Sequence, residues 1–245
     1  MASKYPILET YGFSDIGTTR LTNEDVCLSL GNFFHVLADG IGGHNAGEIA
    51  ANTAVKQLCK AAKKNLSQPL SKKQIEQKIK KAVQKTNYKI YKLGCNFTPY
   101  KGLGTTLCCL YFWLNFLIYT HLGDSRIYLL RNNSLRQLTQ DHSPLNKKNE
   151  QCKNIITQAV GIRKTVNPII KTKKLHEGDV VVMCSDGLSK YVPNREIKNT
   201  ITHSQTPKDS VEQLINIAKK KGSNDNITVL MVKVKSIYEK PNISR

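Results

Sequence analysis

The chain has 245 residues, 40% of them hydrophobic, which suits one compact domain with a sizeable core. Its 37 basic and 18 acidic residues give a net charge of +19. The seven cysteines, an odd number without C-x-x-C spacing, point to neither a zinc ribbon nor a disulfide framework.

The N-terminal stretch MASKYPILETYGF lacks the basic segment and apolar core of a signal peptide, so reduced thiols and a cytoplasmic setting are expected. FFHVLAD (33–39) is an apolar run of strand character that ends at a glycine-rich loop. AGEIAANTAVKQLCKAAKK (46–64) follows as a helix, with Ile49, Thr53/Ala54, Leu58 and Ala61 on one stripe. A second helix is expected over 72–93, with Ser71 at its N-cap and Ile75, Ile79, Ala82/Val83, Thr86 and Ile90 facing inward. Residues 56–101 hold thirteen lysines and one acid, Glu76. The lysines lie on helical repeats whose other face is apolar, and no arginine accompanies them, so a solvated face is favoured over a nucleic-acid surface.

From residue 104 the pattern turns to β. TLCCLYFWLNFLIYTHL (106–122) falls short of the ~20 residues that a spanning helix needs, and Asn115 and His121 interrupt it. Two buried strands around Leu114-Asn115 fit better. A second hairpin turns at Asn132-Asn133-Ser134 within 126–138. Residues 179–187 read as a buried strand, 209–221 as a helix and 226–234 as a last strand. Strands joined by hairpins, with helices segregated into pairs, predict an α+β sandwich rather than a doubly wound parallel sheet.

The chain has nine aspartates. Asp39 (VLADGIGG) and Asp186 (VMCSDGLS) end apolar strands, and Asp225 precedes one. Asp124 sits in a tight link between two strands, and Asp25, beside Glu24, opens an apolar stretch. One such aspartate is ordinarily a turn or cap residue. Five in a chain poor in acid would repel one another strongly unless a cation sat among them. Oxygen donors without a cysteine or histidine cluster favour Mg²⁺ or Mn²⁺ over Zn²⁺. This pattern alone does not name a reaction. Beside it, the loop GIGGHNAGE lacks the lysine of a P-loop and, with Asn45, the third glycine of a dinucleotide fingerprint. Gly40 is instead expected to adopt an unusual backbone angle that turns its carbonyl toward the same cation.

In sequence order, RLTNED (20–25), ADGIGGHNAGEIAA (38–51), GLGTT (102–106), GDSRIYLLR (123–131), LTQDHS (138–143), CSDGL (184–188) and GSNDNITV (222–229) resemble the motifs of the metal-dependent PP2C-type (PPM) serine/threonine protein phosphatases. The small bacterial members are the most similar, and the resemblance runs from about Tyr11 to Val234 of a single domain over 1–245. It implies a central β-sandwich of two mainly antiparallel sheets flanked by helix pairs. It also implies that Asp39 bridges two Mn²⁺ or Mg²⁺ ions, that the Gly40 carbonyl binds one, and that Asp186 and Asp225 complete the pair. Glu24 and Asp25 would act mostly through bound waters, and Asp124 with Asp186 would offer a weaker third metal position.

Arg20 would hold the substrate phosphate with its guanidinium fork. With Arg20, Asp39 and Asp186 as the catalytic set, hydroxide generated between two ions would attack phosphorus in phosphoserine or phosphothreonine. The partners implied are phosphorylated proteins, among them a cognate Ser/Thr kinase, with no specific nucleic acid and no membrane; the chain would be a monomer. Two departures stand out. Animal relatives carry a histidine after Asp-Gly where this chain has Ile41, with His44 near it. Bacterial relatives insert a longer flap where this chain has only PLNKKNEQCK (144–153). His142 is expected to be structural.

Overall fold

The computed structural model describes residues 4–42, 46–66, 70–100, 102–143 and 156–239. The strands are β1 (Lys4–Asp15), β2 (Asp25–Leu30), β3 (Phe34–Ile41), β4 (Gly104–Thr105), β5 (Leu107–Trp113), β6 (Phe116–Leu122), β7 (Arg126–Arg131), β8 (Ser134–Gln137), β9 (Lys171–Lys174), β10 (Val180–Cys184) and β11 (Ile227–Glu239). The helices are α1 (Ala46–Asn65), α2 (Lys72–Asn96), the single turn α3 (Asp186–Ser189), α4 (Asn194–His203) and α5 (Pro207–Lys220). One sheet has the order β1-β11-β10-β7-β8 and the other β2-β3-β5-β6-β9, with β4 pairing β3. All these pairings are antiparallel. The sheets stack face to face, with α1 and α2 covering one outer face and α4 and α5 the other.

Both faces of each sheet are therefore covered, which is why the central strands read as unbroken apolar runs rather than alternating ones. In β10, Val180, Val182 and Cys184 pack under α4 and α5, while Val181 and Met183 point into the layer between the sheets. In β5, Cys109 and Tyr111 meet α1 and α2, while Cys108, Leu110 and Phe112 enter the same middle layer. The expected hairpins form. Asn132 and Asn133 both take positive φ (49° and 57°), the backbone of a tight hairpin turn, and Leu114 (φ 51°) turns the other.

Helix α2 buries the expected stripe, and Ser71 caps it through a reciprocal capping box with Gln74. The buried face of α1 falls instead on Ala50, Ala51, Ala54, Val55, Leu58 and Ala62, rotated from the expected one. The small residues let the helix approach β3 closely. Lysines 56, 60, 63, 64, 72, 73, 81, 85, 89 and 92 are exposed, as a solvated face requires. Among the described residues no helix is long and apolar enough to cross a membrane.

Several elements lie outside the sequence expectation, among them β2, β4 and the turn α3, where the strand expected over 179–187 ends at Cys184 and Asp186 opens a helical turn. Strand β1 is an edge strand whose Ile7 and Phe13 stay exposed, so it lacks a clean apolar period. Strand β9 is the lysine-rich KTKK at the other sheet's edge. Helix α4 buries Ile197, Thr200 and Ile201, is otherwise polar, and completes the second helix pair. Strand β11 also runs to Glu239 rather than 234, because β1 pairs with it along its whole length.

The middle layer joins the two sheets to each other. Leu110→Ala, at a fully buried site between the sheets, is expected to cost about 3 kcal/mol in urea denaturation, whereas Leu21→Ala, at a side chain 96% exposed, is expected to stay within about 0.5 kcal/mol.

Candidate active site

An open cleft of about 290 Å³ lies where ends of both sheets meet, and Arg20, Glu24, Asp39, Asp124, Asp186, Lys190 and Asp225 line it. Each carboxylate arrives from a different piece of backbone. Asp39 is near the end of β3, Asp186 opens α3 after β10, Asp225 lies between α5 and β11, and Asp124 links β6 to β7.

The backbone around Asp39 is clamped. Its carbonyl accepts from the Thr106 N–H (2.8 Å) and the Thr105 hydroxyl (2.9 Å), and its own N–H donates to Thr106 Oγ1 (3.0 Å). Thr106 Oγ1 also meets Ser125 Oγ at 2.6 Å, so one hydroxyl ties the Asp39 strand to the residue after Asp124. Asn226 does the same on the other side. Its amide donates to the carbonyls of Ile16 (2.9 Å) and Thr22 (3.0 Å), and its Oδ1 accepts from the Glu24 N–H (2.9 Å). The loop bearing Arg20 and Glu24 is thus fixed to the residue that follows Asp225.

The glycines of the loop serve approach rather than strain. Gly40 is not among the described glycines with positive φ, which corrects the expectation of an unusual angle there. A Cβ on Gly40 would lie 2.3 Å from the carbonyl carbon of Gly47, and one on Gly47 would strike the Glu24 carboxylate at 2.1 Å. The end of β3, the start of α1 and Glu24 are packed backbone to backbone, and only two glycines leave room for that. Gly187, beside Asp186, is held likewise against the Asn226 carbonyl, 2.0 Å from where its Cβ would stand. Gly43, His44 and Asn45 lie outside the described residues, as does the short segment 144–153.

The electrostatics are dominated by repulsion. Burial, then the charges of Asp25, Asp186, Asp124 and Asp225, hold the Asp39 carboxyl well above the usual carboxylate range. Burial and Asp186 push Asp124 up to about 6, with Lys190 pulling it down. Burial drives Asp25 to about 7, against the Ser185 and Thr228 hydroxyls, which pull it down, and with the charges of Asp186 and Asp225 adding to the rise. Burial also raises Glu24, against the pull of Arg20. Two buried oxygens, Asp25 Oδ2 and Asp124 Oδ1, have no hydrogen-bond partner.

Asp25 lies behind the others, 5% exposed, opposite Asp39 in the β2–β3 register and off the cleft lining. Elsewhere the chain neutralises its aspartates with arginine forks: Asp141 is gripped by Arg126 and Asp179 by Arg131. In the cleft, among the described residues, the cationic partners are Arg20 Nη2 on Asp225 Oδ2 (3.0 Å) and Lys190 Nζ on Asp186 Oδ2 (2.5 Å). Among the described residues no three acidic, cysteine or histidine side chains close into a ready cage around one point. The donor set nevertheless suits hard divalent cations: all oxygen, mutually repelling, and with unpartnered oxygens.

His142 is structural: its Nδ1 accepts from the Gly123 N–H (3.1 Å) and its own N–H donates to the Gly123 carbonyl (2.9 Å), beside Asp124. Thr105, Thr106, Ser125, Lys190 and Asn226 were missed as site residues by the sequence reading, although all but Lys190 lie within or beside its motifs.

The family model for protein phosphatase 2C matches residues 19–231. The chain belongs to the protein phosphatase 2C family. It is 35% identical over 235 residues to the protein phosphatase PhpP of Streptococcus pneumoniae, covering 89% of this chain and 94% of that one. Its fold matches the serine/threonine phosphatase of S. agalactiae with a TM-score of 0.87 at 33% identity, over 94% of this chain and all of that one. It also matches the catalytic domain of the phosphatase PstP in complex with two manganese ions, with a TM-score of 0.82 at 31% identity, over 94% and 99% of the two chains. The chain is thus a serine/threonine protein phosphatase of the kind that works with two Mn²⁺ or Mg²⁺ ions.

Two predictions follow from this packing and charge. Gly187→Ala forces Asp186 away from the Asn226 backbone and is expected to cost about 2 kcal/mol in urea denaturation and to weaken Mn²⁺ binding in calorimetry. The raised carboxyls favour the protonated state in the metal-free protein, so a bound cation must expel protons. Apparent Mn²⁺ affinity should rise as pH climbs through 6 to 7, where Asp124 and Asp25 titrate. Calorimetry in buffers of different ionisation enthalpy should count fewer released protons at pH 8 than at pH 6.

Proposed function

We propose that the cleft is the catalytic centre of this phosphatase, with Asp39 as the shared ligand of two divalent ions and Asp186, Asp225 and the Gly40 carbonyl completing their hold. Glu24 stands at the start of α1 as an outer ligand, Asp25 supports Asp39 from behind, and Asp124 lies at the far edge beside Asp186. The observation that carries this reading is the convergence of Asp39, Asp124, Asp186 and Asp225 on one cleft, where burial and then the neighbouring aspartates raise the Asp39 carboxyl. No packing or folding benefit explains carboxylates placed so, and cations would relieve them.

When bound, the ion pair would supply water of lowered pKa and neutralise charge on phosphoryl oxygens. The chain's own part is positioning. Arg20 is half exposed at the rim, and its Nη2 rests on Asp225 while its Nε donates to the Asn224 carbonyl (3.2 Å). From there its guanidinium can turn a fork of donors toward a phosphate entering from solvent. The Thr105, Thr106 and Asn226 hydrogen bonds hold the carboxylates against their own repulsion, so the geometry is set before substrate arrives.

The substrates we assign are phosphoserine and phosphothreonine proteins, including a cognate Ser/Thr kinase, met in the cytoplasm by one domain acting as a monomer. The six described cysteines are all free thiols, which suits a reducing compartment.

With a phosphothreonine peptide, Mn²⁺ should support hydrolysis and a chelator should abolish it. Asp39→Asn should lower kcat by on the order of 10³-fold or more while the variant still melts cooperatively. Hydrolysis without divalent ions, or full turnover by Asp39→Asn, would overturn the reading.

A further inference from the structure

We propose that the Lys190 ammonium is a built-in cation of the active site, taking the place that a further divalent ion would hold between Asp186 and Asp124 and limiting this enzyme to two metal ions. The inference rests on the metal-centre reading above and concerns what that centre excludes.

Lys190 follows the single helical turn that Asp186 opens. Its N–H donates to the Asp186 carbonyl (2.9 Å), which sets the residue one turn beyond Asp186, and its Nζ closes on Asp186 Oδ2. The neighbouring residue is anchored as well, since the Tyr191 hydroxyl donates to Asn224 Oδ1 at 2.6 Å, beside Asp225. These connections set the Lys190 backbone one turn beyond Asp186, within its side chain's reach of the cleft.

Its electrostatic partners define its reach. Asp186, Asp124 and Asp225 all favour its charged form, outweighing a burial cost that acts the other way. In turn, the Lys190 charge and the Asp124 backbone N–H lower the Asp124 carboxyl against burial and Asp186. Asp124 Oδ1 has no hydrogen-bond partner, so this carboxylate's compensation comes mainly through space.

Charge balance points the same way. Six carboxylates gather at the cleft or directly behind it, and Arg20 and Lys190 answer two of them. Two divalent ions would neutralise the remaining four. A third ion at the Asp124 edge would have to displace the ammonium and would leave an excess of positive charge in a half-buried site, at a Coulomb cost that grows steeply at separations of a few ångströms.

The test is a count of bound Mn²⁺ by equilibrium dialysis, with the ions located by anomalous scattering from crystals grown in Mn²⁺. Wild type and Lys190→Arg should each bind two ions. Lys190→Gln and, as a second neutral variant should the first fold poorly, Lys190→Met should bind three, the third weaker and lying between Asp124 and Asp186. The double variant Asp124→Asn/Lys190→Gln should return to two. Three ions on wild type, or two on both neutral variants, would overturn this inference and leave the binuclear centre intact. No Mn²⁺ on any of the proteins would overturn the metal-centre reading itself and the inference with it.

Discussion

Mutual repulsion among carboxylates at one end of the sandwich is the constraint on which the rest of this structure depends. Asp39 faces Asp25 across the β2–β3 register and feels the charge of Asp186, Asp124 and Asp225. Left to themselves, such groups would spread toward water or bind protons. The fold prevents spreading by growing each aspartate from a different strand end and by fixing the strands through two covered sheets. The middle layer of Leu37, Leu110, Val181, Met183 and their neighbours keeps the two sheets in register, and with them the two halves of the site. The hydrophobic layers thus supply the free energy that lets an unfavourable cluster persist.

The fine adjustment lies in contacts too close for side chains and in hydroxyls with two jobs. Gly40 against Gly47, and Gly187 against Asn226, bring backbones to distances that no Cβ would allow. Thr106 Oγ1 accepts from the Asp39 N–H and meets Ser125 Oγ, so β3 and the β6–β7 link cannot drift apart independently. The Asn226 side chain turns its hydrogen bonds to the loop that carries Arg20 and Glu24, while its backbone N–H donates to Asp225 Oδ1 (2.8 Å). Each device serves the relative position of two carboxylates, and none adds a catalytic group of its own.

Much of this was legible in the sequence because the strongest signals are local. Unbroken apolar strands ending in Asp-Gly, hairpins marked by Asn132-Asn133, and the Ser71 capping box need no tertiary information. The ordered motifs then identified the fold and the acidic set. The reason for Gly40 was not legible, since a glycine's composition does not distinguish a left-handed φ from a backbone approach of 2.3 Å. Strand β1 was hidden because an edge strand with Ile7 and Phe13 exposed has no clean period. Lys190 was hidden by its surroundings: in a chain of 37 basic residues, one more lysine four positions after Asp186 has no signature until the turn of α3 folds it back.

The large positive charge of the chain does not remove the need for cations in the cleft, and distance shows why. Helix α1 starts at the site and has 20 residues, a length of about 30 Å at ~1.5 Å per residue. Lys63 and Lys64 lie in its last turn, and the lysines of α2 stand on a solvated face. At physiological ionic strength the Debye length is about 8 Å, so charges that far away through solvent are screened from the carboxylates. Among the described residues, Arg20 and Lys190 are the cations that line the cleft, and bound metal would add to them. The lysine field can act on a different step, since an acidic phosphoprotein approaching from solvent meets the whole surface before it meets the cleft. The chain thus separates two electrostatic tasks, attraction by a diffuse basic surface and chemistry in an acidic pocket.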